Sequence, residues 1–192
     1  MLKGDICLSG GAKGSDAQWG MMAGRYGHSV IHWSFGNHKV FAPEQEMVRL
    51  SDEQLLIADP FLEKAAKTIK RPYPGNRSEF VKNLLRRNYY QVAWSNALYG
   101  VGSIKNGLVQ GGTGWAVQMF LDINAAKAQF EPLDLYFYEQ NQEVWYRWAG
   151  GWKALEGQPP PPSGIWAGIG TRELNDSGKW AIRQLLGWPK PE

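Results

Sequence analysis

The sequence predicts an α/β fold built on a mostly parallel sheet, and three observations carry that prediction. An apolar run, a glycine-rich loop and a helical pattern follow one another three times, over about residues 5–24, 97–123 and 164–186. Strands that alternate with helices run parallel, because a crossover helix returns the chain to the end from which it left. Two aromatic runs meeting at Gly150-Gly151 add one antiparallel hairpin, over about residues 143–156. The length of 192 residues suits a single domain, 1–192.

Taken in order, Asp5 to Leu8 is a short strand ending in Ser9-Gly10-Gly11-Ala12-Lys13-Gly14-Ser15-Asp16. Ser15 and Gln18 form a capping-box pattern, so a helix starts at the end of that loop and closes at Gly24 or Gly27. Ser29 to Phe35 is bounded by Gly27 and Gly36 and contains Val30 and Ile31, which makes it a strand. From about 43 to 94 the pattern reads as a helical insertion: Ser51 and Gln54 cap a short helix, and Leu62, Ala65, Ala66 and Ile69 share the face of another. A longer helix follows the breaker Arg71-Pro72-Tyr73-Pro74-Gly75 and carries Val81, Leu84, Leu85, Asn88, Tyr89 and Val92 on one stripe. Asn88 interrupts that stripe, so it is either tied to backbone or turned toward a ligand.

Ala97 to Val101 reads as a strand, with Leu108 to Gln110 a short extension before Gly111-Gly112-Thr113-Gly114 opens a helix buried through Ala116, Met119, Phe120 and Ile123. Leu133 to Tyr138 is a further strand, and the hairpin Val144 to Leu155 decorates an edge or offers a partner surface. Pro159 to Pro162 is an extended connector. The last unit runs from Gly164-Ile165-Trp166-Ala167 through Gly168-Ile169-Gly170-Thr171-Arg172-Glu173 into a helix from about Asn175 to Leu186. The whole is a Rossmann-like three-layer sandwich with a small antiparallel hairpin.

Composition removes several function classes. The chain is 43% hydrophobic and 20% charged, which is ordinary for a globular protein. No run is apolar enough for a membrane span, and the start lacks a signal core, so a cytoplasmic protein without a membrane partner is expected. Cys7 is the single cysteine and the three histidines are scattered, which leaves no zinc framework; His28 and His32 belong on or beside a strand as non-metal residues. Lys64 to Arg87 holds eight basic residues against Glu79 alone, a local charge of +7 that leaves −4 for the rest of this +3 chain. That segment either attracts phosphates or nucleic acid, or forms a solvated helix face.

Ligands of open parallel sheets sit beyond the carboxyl ends of the strands, where these glycine loops converge. Glycine lets backbone approach a ligand closely, and a helix N-terminus presents free amides and about half a positive charge. The loops match neither a P-loop nor a dinucleotide fingerprint, since position 173 is Glu173 and no Gly-Lys-Ser/Thr follows the first loop.

Four segments carry a resemblance: Ser9 to Asp16; Arg87-Asn88-Tyr89-Tyr90-Gln91-Val92 with Ser95-Asn96-Ala97; Gly111 to Gly114; and Ala167 to Glu173. Together they resemble the SLOG superfamily of nucleotide-binding proteins, over nearly the whole chain. Their order is similar to that of the circularly permuted YpsA-like branch, many of whose members are encoded by phages or mobile elements. The resemblance implies a nucleotide, nucleotide-sugar or ADP-ribose-like ligand, sensed or sequestered, with no further cofactor required. The loop residues Ser9, Gly10, Gly11, Gly111, Gly112, Thr113, Gly168 and Gly170 would then line the site. Amides of Gly10, Gly11, Gly112 and Thr113 would hold phosphates, Arg87 and Arg172 would supply charge, and Ser15, Asn88 and Thr171 would bond ribose or base.

The related LOG proteins cleave N-glycosidic bonds with a motif that aligns with Gly111 to Gln118 here, where Gln118 replaces the catalytic glutamate. An amide cannot exchange a proton as a carboxylate does, so Asp16 and Glu173 are the substitute catalytic carboxylates, or plain helix N-terminal acids. DNA binding through residues 64–87 is the third reading, after the DprA-type relatives, and self-association through the hairpin stays open.

Overall fold

A computed structural model of the protein describes residues 4–187. Residues 1–3, part of the start read above for a signal core, and 188–192 lie outside the described residues. The first unit comprises β1 (Ile6–Ser9), α1 (Ser15–Arg25) and β2 (Ser29–Phe35). It is followed by β3 (Met47–Leu50), α2 (Asp52–Leu56), α3 (Asp59–Ile69) and α4 (Glu79–Val92). The second unit is β4 (Ala97–Gly102), the small pair β5 (Ile104–Lys105) and β6 (Leu108–Val109), α5 (Thr113–Ile123) and β7 (Asp134–Glu139). A hairpin of β8 (Val144–Trp148) and β9 (Trp152–Ala154) leads to β10 (Ile165–Gly170) and α6 (Asp176–Leu185).

Eight strands form one sheet in the order β3-β2-β1-β10-β4-β7-β8-β9. It is parallel from β3 to β7, and β8 and β9 extend it antiparallel. α1 and α6 pack together on one face, and α3, α4 and α5 on the other. The α/β class, the mostly parallel sheet and the aromatic hairpin are as the sequence predicts.

Two-residue periodicity assigns each strand's side chains to the two layers. Leu98, Leu135, Phe137, Ala167 and Ile169 face a core with Leu62, Leu85, Val92, Met119 and Phe120. Tyr99, Tyr136 and Trp166 face the other, with Trp19, Met22, Ala181 and Ile182. Trp19 and Trp166 are packing residues with satisfied polar tips: Trp19 Nε1 donates to the Ile169 carbonyl at 3.0 Å, and Trp166 Nε1 meets His28 Nδ1 at 3.1 Å.

The structure corrects three local expectations. Residues 47–50 are a parallel edge strand, and α3 and α4 cover the sheet beside α5, so the region from 43 to 94 is a layer of the sandwich and not a helical insertion. Pro60 stands in the first turn of α3, which has no use for that amide hydrogen. The Ser15–Gln18 capping box does not form: Gly14, at φ 100°, occupies the cap, and the Ser15 hydroxyl donates to the Thr171 carbonyl at 3.0 Å. Only glycine adopts that backbone readily, and a Cβ on it would lie 2.4 Å from the Arg172 carbonyl oxygen. Finally, Gly168 to Gly170 belong to β10 and are not a loop.

Candidate functional site

The crossovers set the site. β1 leads through α1 outward to β2, and β4 leads through α5 outward in the opposite direction to β7, on the opposite face, with β10 between them. Carboxyl ends of β1, β10 and β4 therefore meet where the connections diverge, the place at which open α/β sheets leave a crevice. A cleft of about 550 Å3 occupies it. Its walls are the loops entering α1 and α5 with the first turn of each (Ala12, Lys13, Asp16; Gly111, Gly112, Thr113), the end of β10 and the residues after it (Gly170, Thr171, Arg172), and α4 through Leu84, Arg87, Asn88 and Gln91.

Beneath the cleft lies a buried ion pair. Arg87 Nη1 donates to Asp16 Oδ2 at 2.9 Å, and Gln91 Nε2 reaches the same oxygen at 3.3 Å. Asp16 is 7% exposed and Arg87 3%. Burial pushes the Asp16 carboxyl up from the ordinary aspartate range, partly offset by Arg87, Gln91 and a backbone bond from Gly170. Arg87 Nε is buried without a hydrogen-bond partner.

Asp16 is the only acidic residue lining the cleft among the described residues, and its charge is met by Arg87. Lys13 and Arg172, both exposed, then leave the mouth net positive. The α5 N-terminus adds its dipole. Its entry loop is fixed from below, with Arg71 donating to the Gly111 carbonyl at 2.9 Å and the Val109 carbonyl at 3.1 Å, and Asn88 Nδ2 to the Gly112 carbonyl at 3.3 Å. Asn88 is thus tied to backbone, the first of its two readings, at a position that lines the cleft.

Of the residues proposed from sequence, the cleft gathers Asp16, Arg87, Asn88, Gly111, Gly112, Thr113, Gly170, Thr171 and Arg172. Others sit behind it. The Ser9 hydroxyl is buried, and its one proton is shared between the Gly168 carbonyl at 2.7 Å and the Asp16 carbonyl at 3.0 Å. Gly10 makes room for Arg87, Gly11 for Val40, and Gly168 for Trp19. Ser15 is spent on Thr171, and Glu173 is exposed and lines neither this cleft nor a neighbouring cavity. Gln118 bonds Asp122 and stays outside as well. Sequence reasoning missed Lys13, Gln91 and Ser103; Lys13 was legible as the one cation inside the first glycine loop.

The basic segment from Lys64 to Arg87 is largely spent internally. Arg86 pairs with Asp59 and Glu79, Arg87 with Asp16, and Arg71 and Arg77 with backbone carbonyls. No helix among the described residues is long and apolar enough to cross a membrane.

Fold and cleft together define a doubly wound α/β protein with a cation-lined crevice at its topological switch point. Comparison with family models, curated proteins and solved structures finds no match to the chain.

Proposed function

We propose that the protein binds a nucleotide or nucleotide-derived anion in the switch-point cleft, for sensing or sequestration. One observation carries the reading: the α5 N-terminus, Lys13 and Arg172 line the same cleft, while its single acid is neutralised by Arg87. Amides and cations of this kind suit phosphate oxygens, and charge-assisted bonds to them are the strong ones. Asn88, Thr171 and Gln91 supply the neutral groups that ribose or a base requires. The resemblance to SLOG proteins points to the same ligand class.

The test is mass spectrometry of small molecules released on denaturing freshly purified protein, followed by titration of ligand-free protein with nucleoside phosphates, NAD and ADP-ribose. Retention or binding that is lost in Lys13→Ala/Arg172→Ala is expected. Absence of any bound species across that panel would sink the reading.

A second reading, N-glycosidic hydrolysis, has Asp16 in its favour: a cleft-lining carboxyl whose affinity for its proton is raised by burial. Its engagement by Arg87 and Gln91 favours binding over turnover. Free base appearing on incubation with nucleoside monophosphates or NAD would reverse that order.

A further inference from the structure

On the far side of Lys13 and Arg172 lies a second cavity, of about 730 Å3, within the roughly 300–1,000 Å3 range of small-molecule sites. One face of α1 lines it, where Ala17, Gly20 and Gly24 follow at helical spacing beside Gln18, Met21 and Arg25. Phe41 and Pro43, from the segment joining β2 to β3, form the facing wall.

Two buried nitrogen atoms of residues lining this cavity lack any hydrogen-bond partner, Nδ1 of His32 and Nε2 of Gln18. His32 is 1% exposed, and the space it occupies exists because residue 20 is glycine: a Cβ there would lie 2.3 Å from the imidazole Nε2. Buried polar groups are almost always paired, and these two stand in the wall of the cavity with almost no accessible surface of their own, while the Cε1–Nε2 edge of the imidazole lies beside Gly20. Burial brings the His32 pKa down to about 4, so the neutral ring offers one donor and one acceptor. The Glu46 carboxylate stands 3.7 Å from its Nε2 and lines the same space.

A cavity lined by small residues and Met21 of α1, an aromatic ring, an amide, an imidazole and a carboxylate suits a planar heteroaromatic ring with mixed donors and acceptors. Lys13 and Arg172 line both cavities, which makes them a cationic ridge between two chambers. We propose that the second cavity is a ring subsite, so that the ligand is a phosphate-bridged two-ring molecule of the dinucleotide class, its bridge on Lys13 and Arg172 and one half in each chamber. This inference rests on the switch-point cleft holding the other half.

Gly24→Leu tests it. A Cβ at this exposed helical position meets nothing nearer than Val30 Cγ2 at 3.8 Å, so the variant folds while its side chain enters the cavity. Calorimetry compares AMP and GMP with NAD and diadenosine pyrophosphate on ligand-free protein. Wild type is expected to bind at least one two-ring probe about 10-fold or more tighter than the mononucleotides, an advantage that Gly24→Leu erases while leaving mononucleotide affinity unchanged. Equal affinity for both classes in wild type, or an advantage that survives Gly24→Leu, overturns the ring subsite and leaves the switch-point reading standing. Failure of both classes to bind wild type overturns the two together.

Discussion

Arg87 Nη1 and Asp16 Oδ2, 71 residues apart in the chain, meet at 2.9 Å directly under Gly10, where a Cβ would fall 1.4 Å from that same nitrogen. The glycine after β1 is thus required by an arginine on α4, and the pair clamps α1 to α4 at the carboxyl ends of the central strands. Removing one partner leaves an uncompensated buried charge, which costs about 3–5 kcal/mol. Arg87→Ala and Asp16→Ala are each expected to lower the melting temperature by about 6–20 °C at about 2–4 °C per kcal/mol, and the double variant by less than the sum. Calorimetric unfolding of the four proteins checks this; additive losses would show that the two side chains act independently.

That pair also marks how far the sequence could be read. Local signals located β2 at Ser29–Phe35, the start of α6 near Asn175 and the hairpin turn at Gly150-Gly151, because each depends on neighbours in the chain. β3 escaped notice because two of its four residues, Val48 and Arg49, are exposed on an edge and show no apolar run. The sequence points to Arg87 as a ligand group and to Asp16 as a catalytic carboxylate or helix N-terminal acid, since a basic and an acidic residue in separate motifs give no local hint that they neutralise each other. Gly168 looked like a loop glycine for the same reason: Trp19, which fills the space above it, is remote in sequence.

Glycines of the motifs therefore divide by what stands over them. At Gly168 a Cβ would lie 2.7 Å from the Trp19 Cβ, so Gly168→Ala overpacks a full core and is expected to cost about 1–3 kcal/mol. At Gly112 the nearest atom is Leu85 Cδ2 at 3.9 Å, and the added methyl stands beside the cleft. Gly112→Ala should leave the melting temperature within about 2 °C of wild type while weakening ligand retention. Melting curves and nucleotide titrations on both variants separate packing from contact; equal stability losses would contradict the division.

Arg71 is a positioning residue for the α5 entry loop, because its two terminal nitrogens hold the Gly111 and Val109 carbonyls without lining the cleft itself. Arg71→Ala removes two charge-assisted bonds worth about 1.5–3 kcal/mol each at most, less at this exposed site. Loss of nucleotide affinity with only a small loss of stability is expected, and Arg71→Lys, able to reach one carbonyl at a time, should recover part of it. Should Arg71→Ala bind as wild type does, the loop is held by other contacts.

Acid should unfold the protein through its histidines. Burial, with Arg87 nearby, brings the pKa of His32 and of His38 down to about 4 from an ordinary 6.5. Between those values the unfolded chain binds protons that the folded one refuses, so stability rises with pH across the window and is lost on acidification, by up to about 1.4 kcal/mol per pH unit for each histidine. His38 accepts or donates a single bond, to Ser34 Oγ at 3.1 Å, and stacks on Phe35. His38→Asn keeps a polar partner for Ser34 and cannot titrate, so its urea midpoint should fall less steeply than that of wild type from pH 6.5 to 4.5. Parallel slopes for the two proteins would mean that His38 takes up its proton without opposing the fold.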